Sequence, residues 1–188
     1  MNTPRWYALR VRSNHEKVVQ AALQGRGYEE FLPVYRKRSR WSDRTKQIDV
    51  PLFPGYVFSR FVAERRLPVL TIPSVVQIVG NAGVPAPVDD DELDAVRRFV
   101  TSSLPVEPWP YLRVGETVVV DQGALAGTQG IVVRFNGGVR LVVSVSLLQR
   151  SVALELDRSW VRPAIPDADL IAVAMEQFRA GRGRTAGA

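Results

Sequence analysis

"VPLFPGYVF", residues 50–58, decides how the chain is read. It carries Leu52, Phe53, Tyr56, Val57 and Phe58, and also Pro51, Pro54 and Gly55. Each proline removes a ladder donor, so neither belongs in the middle of a buried strand. Both are tolerated at a strand start. The segment therefore reads as a strand entered through a Pro-Gly bend. Period-two alternation puts Tyr56 and Phe58 on one face and Phe53, Val57 and Phe61 on the other, with Phe53 drawn toward the rim by the bend. One set can face a core while the other stays open to a partner. Alternation does not say which.

Working outward, "RWYALRV" (5–11) alternates and reads as a strand. Ser13 and Glu16 have capping-box spacing, with Ser13 as N-cap and Glu16 reaching back. A helix follows, with Val19, Ala22 and Leu23 on its apolar face and Gly25 and Gly27 at its end. "YEEFLPVYRKRSR" and "QIDVPLF", joined by "WSDRTK", read as a hairpin with a charged tip. "AERRLPVLTIPS" reads as a short helix broken by Pro68 and Pro73, and "VVQIVG" as a strand. In "DDDELDAVRRFVTSS" the acids Asp89, Asp90, Asp91 and Glu92 suit the positive end of a helix. Leu93, Val96 and Val100 give that helix one face. The order β-α-β-β-α-β-α predicts an α+β domain over residues 1–103, an antiparallel sheet flanked by helices.

The pattern then changes. Pro105, Pro108 and Pro110 mark a semi-extended linker over 104–112. "GETVVVDQG", "TQGIVVRFN", "GVRLVVSVSLL" and "SVALELDRSWV" are short alternating strands, and "FNGGV" is a hairpin turn. They predict a small all-β barrel over 113–163. Their β-branched runs favour a stable barrel over a helical alternative. Residues 164–188 form an extension, with a short helix expected from Ala168 to Arg179 and a disordered end, "RAGRGRTAGA".

Composition narrows the chemistry. Of 188 residues 46% are hydrophobic, enough for packed cores, and there is no cysteine. No apolar run approaches the roughly 18 residues of a spanning helix, and the opening lacks a signal-peptide core. The expectation is a cytoplasmic protein. His15 is the sole histidine, phosphate-loop and dinucleotide fingerprints are missing, and Asp89–Glu92 is explained by the helix start. No catalytic residue, metal or cofactor is expected. Net charge is +6. Six bases, Arg36, Lys37, Arg38, Arg40, Arg44 and Lys46, face two acids, Asp43 and Asp49, within the hairpin. A basic tip suits phosphate contact, and the interleaved Tyr35 and Trp41 can stack on bases. A solvated hairpin whose charges protect its edges is the alternative. Leu125 lies in a predicted loop without an obvious core partner, either a contact residue or folded back on the barrel.

Together, "RWYALRV" with its helix, "PLFPGYVF" and "IPSVVQIVG" resemble the N-terminal domain of the NusG family. "VGETVVVDQGALAGTQGIVV" and "ALELD" resemble its C-terminal KOW domain, an SH3-like barrel. The resemblance covers about residues 4–163. "RSNHEKVV" and "PLFPGYVF" look closest to specialised antitermination paralogues of the RfaH and UpxY type. The resemblance implies a transcription elongation or antitermination factor that bridges the DNA cleft of RNA polymerase and suppresses pausing. Phe53, Tyr56 and Phe58 then match positions that meet the clamp helices, and Arg65 and Arg66 match positions that meet the gate loop. Arg12 and His15 lie toward the non-template strand, and the basic hairpin toward upstream DNA. Leu125, Leu147 and Leu148 match the KOW patch that takes ribosomal protein NusE or Rho. A monomer is expected. The rival readings are a ribosome-associated KOW-type RNA-binding protein and an enzyme, the latter without a site to support it.

Overall fold

The computed structural model describes residues 3–41, 44–109, 116–135 and 138–164. In chain order the elements are β1 (Arg5–Val11), α1 (Glu16–Gly25), β2 (Glu29–Phe31), β3 (Val34–Trp41), β4 (Arg44–Pro51), β5 (Tyr56–Phe61), α2 (Leu67–Leu70) and β6 (Val75–Ile78). They continue with β7 (Gly80–Asn81), β8 (Val84–Pro85), α3 (Asp90–Thr101), β9 (Val106–Trp109), β10 (Glu116–Val120), β11 (Gln129–Phe135), β12 (Gly138–Val145), β13 (Arg150–Leu156) and β14 (Val161–Pro163).

The N-terminal part is a four-stranded antiparallel sheet in the order β2-β5-β1-β6. Strand β5 lies inside it, paired on both edges, and its apolar residues are covered on both faces. Val57 and Phe61 join Tyr7, Leu9 and Val11 against Val19 and Leu23 of α1 and Val69 and Ile72 near α2. Phe58 joins Trp6 and Ala8 against Leu93, Val96 and Phe99 of α3. The alternation of Phe58 against Val57 and Phe61 is thus realised as two separate cores.

Phe53 departs from the expectation. It packs in the Phe58 core, its ring edge-on to Phe58 at 5.7 Å. The chain turns between the two: Tyr56 N–H donates to Phe53 O, and Gly55 holds φ at +83°. A left-handed residue reverses the side on which the preceding side chains fall, and glycine adopts it without a Cβ clash.

The capping box also takes another form. The N-cap of α1 is His15, with no side-chain cap bond. Glu16 is buried, and its carboxylate accepts from Gly55 N–H at 2.8 Å. The side chain expected to close its own helix instead ties α1 to the Pro-Gly turn. At α3 the acids behave as expected of a helix start: Asp89 is the N-cap, accepting from Asp91 N at 2.8 Å and Glu92 N at 3.3 Å. Strands β3 and β4 form their own two-stranded ladder, from Val34 opposite Pro51 to Trp41 opposite Arg44.

The C-terminal part is a six-stranded antiparallel sheet in the order β14-β10-β11-β12-β13-β9. It is all-β, as its glycine-punctuated β-branched runs imply. The linker expectation is corrected here. Val106–Trp109, inside the 104–112 stretch, is β9 and pairs with β13, Val106 opposite Leu154 and Trp109 opposite Ser151. Pro108 is accommodated because β9 is the edge strand of the ladder. The expected helix Ala168–Arg179 and the tail beyond it lie outside the described residues.

Glu16→Ala is expected to lower unfolding free energy by about 1.5–3 kcal/mol, the usual range for a hydrogen bond to a charged group. Glu16→Gln, which keeps an acceptor oxygen, should cost less. Urea titrations of the three proteins measure this, and equal stability would contradict the tie between α1 and the turn.

Candidate functional site

Tyr56 opens β5 and is half-buried, on the α3 side of the sheet. Arg10 stands beside it in register and is exposed. The guanidinium of Arg150, from the C-terminal sheet, lies 5.4 Å from the Tyr56 ring centroid. Phe53 and Phe58 are 1% and 0% exposed. Of the three aromatics expected as an apolar contact patch, only Tyr56 offers surface. The other two lie within the core cluster that Tyr56 packs against, because α3 covers the face on which they lie. Arg97 of α3 seals that face further, its guanidinium 4.5 Å from the Trp6 ring centroid and 5.0 Å from that of Phe31.

The outer side of α3 meets the C-terminal sheet. The helix contacts β12 and the 3-10 turn Gly123–Leu125. Arg98 donates to Thr128 Oγ1 at 3.3 Å and to Ala126 O at 3.4 Å. The Glu92 carboxylate accepts from Ser146 N–H at 3.1 Å. One apolar cluster runs from Trp6 and Phe58 through α3 into Leu125, Leu141 and Val143. Exposed polar contacts of this kind contribute little individually, so the apolar continuity holds most of the junction together.

The same packing decides the leucines. Leu125 is 2% exposed and Leu148 9%, with Leu147 half-buried. Leu125 is therefore folded back into a core rather than offered as a free loop contact. Its core partners come from other elements, and local sequence gives no sign of them.

The basic residues fall into three places. Arg12 and His15 are both exposed on the turn before α1, where His15 N–H donates to Arg12 O at 3.1 Å. His15 Nδ1 lies 3.0 Å from Ser13 O. Arg36 and Lys37 are exposed on β3, and Arg38 and Arg40 continue its ladder opposite Gln47 and Thr45. Lys46 and Arg44 occupy β4 opposite Ser39 and Trp41. Tyr35 is half-buried, one side of it packed against the core cluster. Arg65 is exposed at the end of the 3-10 turn Ala63–Arg65, and Arg66 donates back to Ala63 O at 3.2 Å. Leu67 follows at 70% exposure, an apolar residue beside two cations.

Sequence reasoning passed over Arg10, Leu67 and Arg150. Arg10 was detectable, since it shares the period of Trp6 and Ala8 at the open end of β1. Leu67 looked like an ordinary helix residue. Arg150 meets Tyr56 only through the packing of the two sheets. Among the described residues no group of three or more His, Asp or Glu side chains is placed to hold a metal ion.

Comparison with known proteins agrees with this architecture. The family model for transcription termination factor NusG matches residues 4–97. The transcription termination/antitermination protein NusG of Pseudomonas aeruginosa is 31% identical over 171 residues, covering 84% of this chain and 97% of that protein. The protein of the same name from Escherichia coli K12 is 30% identical over 181 residues, covering 85% and 96%. A solved structure described as domain interaction in Thermotoga maritima NusG covers 86% of this chain and 98% of its own, with TM-score 0.50 and 21% identity. The chain is a two-part α+β and all-β protein of the transcription-factor class. It belongs to the NusG family.

Reversing both polar contacts of α3, with Glu92→Lys and Arg98→Glu together, should loosen the junction and raise the radius of gyration measured by small-angle X-ray scattering. Far-UV circular dichroism should stay unchanged. An unaltered radius would show that the polar contacts do not help hold the two sheets together.

Proposed function

We propose that this protein binds elongating RNA polymerase and suppresses pausing or termination. The clamp helices are met by Tyr56, packed against the core that holds Phe53 and Phe58, and the gate loop by Arg65 and Arg66. The observation that carries the reading is a half-buried tyrosine packed against the core cluster that holds Phe53 and Phe58, within a chain of the NusG family. An aromatic anchored on a packed core is the kind of residue that dominates interfaces. Arg12 and His15 face the non-template strand. Arg36, Lys37, Arg38, Arg40, Arg44 and Lys46 lie along upstream DNA, neutralising phosphates without reading sequence.

In this role the chain works as an N-terminal unit, 1–103, and a C-terminal unit, 113–163 with β9 as its edge strand, the latter recruiting NusE or Rho through Leu125, Leu147 and Leu148. Both contacts require the units to part. Arg150 lies over Tyr56, and Leu125 sits in the core cluster shared with α3. Polymerase and partner therefore favour the parted state, and the closed state competes with both. A factor of this kind needs no catalytic group. It shifts polymerase between paused and active states by its differential affinity for them, and about 1.4 kcal/mol of preference changes the ratio tenfold.

Single-round transcription on a pause-containing template tests the reading. Wild type should shorten the pause, and Tyr56→Ala and the Arg65→Ala, Arg66→Ala double variant should each lose most of that effect while remaining folded. Phe58→Ala is a poor probe, because emptying a buried phenylalanine site costs about 3–5 kcal/mol of stability. Normal pause suppression by folded Tyr56→Ala would remove the clamp assignment. Capture of ribosomal subunits and not polymerase would favour the RNA-binding alternative.

A further inference from the structure

Between α3 and the C-terminal sheet runs a half-open groove of about 660 Å³. Its floor includes Ile131, Val142 and Ser144, and its helical wall includes Asp91, Glu92, Asp94 and Arg98. The floor is therefore partly apolar, and the wall carries three acids and one arginine. Asp94 pairs with Arg97 at 2.9 Å. The Asp91 carboxylate has no hydrogen-bond or ion-pair partner among the described residues and is exposed. Gly130 borders the groove, and a Cβ there would lie 2.7 Å from Val142 O. The floor is thus held close to backbone.

The chain leaves the sheet nearby. Ala164 N–H donates to Thr117 O at 3.0 Å. Thr117 is opposite Ile131, and Ile131 is opposite Val142. The exit from β14 and the groove floor therefore share one row across the sheet. They are two strands apart, about 10 Å at the usual strand spacing. Residues 165–188 follow, and their charge is sorted. The acids Asp167, Asp169 and Glu176 come first, and Arg179, Arg182 and Arg184 come last. Apolar Leu170, Ile171, Val173 and Phe178 lie between Pro166 and Arg179.

We propose that this C-terminal segment docks in the groove of its own chain, its arginines against Asp91 and Asp94 and its apolar residues over the half-buried Ile131. Three observations converge on it. Acids outnumber the one arginine on the groove's helical wall, and the segment has a basic end. The tether is short enough to hold the segment at an effective concentration of order millimolar, so a weak contact suffices. The length is adequate, since even a helix over 168–179 would extend about 18 Å. Docked there, the segment touches both units at once and acts as a latch on the closed packing. The inference depends on that packing and not on the polymerase reading.

The absence of cysteine allows a clean test on the full chain. A spin label on Thr185→Cys, next to the last arginine, should broaden amides of residues 91–95 and 127–131 selectively. The broadening should disappear in the Asp91→Asn, Asp94→Asn double variant. It should also recede when salt is raised from about 0.1 to about 1 M, which shortens the Debye length from about 10 to about 3 Å. Three results would overturn the proposal: no selective broadening, broadening that persists in the double variant, or broadening that appears only between labelled and unlabelled molecules. The last would assign the groove to a second copy.

Discussion

The fold rests on an inner strand that must be apolar on both sides. Residues 56–61 pair with β1 on one edge and β2 on the other, which satisfies the backbone, and helices then cover both faces over Val57, Phe58 and Phe61, leaving Arg60 exposed. Helices α1 and α2 cover the side of Val57 and Phe61, and α3 covers the side of Phe58. Which residues go to which side is set at the Pro-Gly turn. Gly55 takes a left-handed conformation that an L side chain would resist, and its N–H is held by the buried Glu16 carboxylate. A single hydrogen bond thus joins the first helix to the turn that sends Phe53 and Phe58 into one core.

The second consequence is the junction. Because α3 has buried its inner face on Phe58, only its outer side and its ends are free to meet the C-terminal sheet. Arg98, Glu92 and the shared apolar cluster make that contact, and Arg150 reaches over Tyr56 as a result. The tyrosine offered as an interface residue is therefore already partnered within the chain. A surface that is occupied internally and also serves an external partner makes binding conditional on opening, and the free-energy cost of opening lowers the apparent affinity.

Much of this was legible in residues 5–103. Alternation in "RWYALRV" and "YVFSRF" marks the strands, and the acids ahead of Leu93 mark the start of α3. Period two separates the two faces of β5, but the face expected to stay open is covered by α3, so both are cores. What failed did so for physical reasons. Glu16 has capping-box spacing, but the half-buried N–H of Gly55, 39 residues away, takes the same carboxylate. Alternation puts Phe53 on the wrong side because it assumes extended backbone, and Gly55 interrupts it. Val106–Trp109 looks like linker because prolines suggest one, yet an edge strand tolerates a missing donor. Leu125 looks exposed because its partners lie in other elements. Local sequence reports periodicity and turn chemistry, and it is silent on which surfaces two packed units hide from each other.

The most direct measurement is hydrogen exchange of the full chain, free and bound to an assembled elongation complex. The account predicts that residues 63–67 gain protection in the complex. It predicts also that Ser146 and the turn at 123–128 lose it, as α3 and the C-terminal sheet separate. A bound complex in which residues 63–67 are unchanged and Ser146 remains as protected as in the free protein would contradict the account.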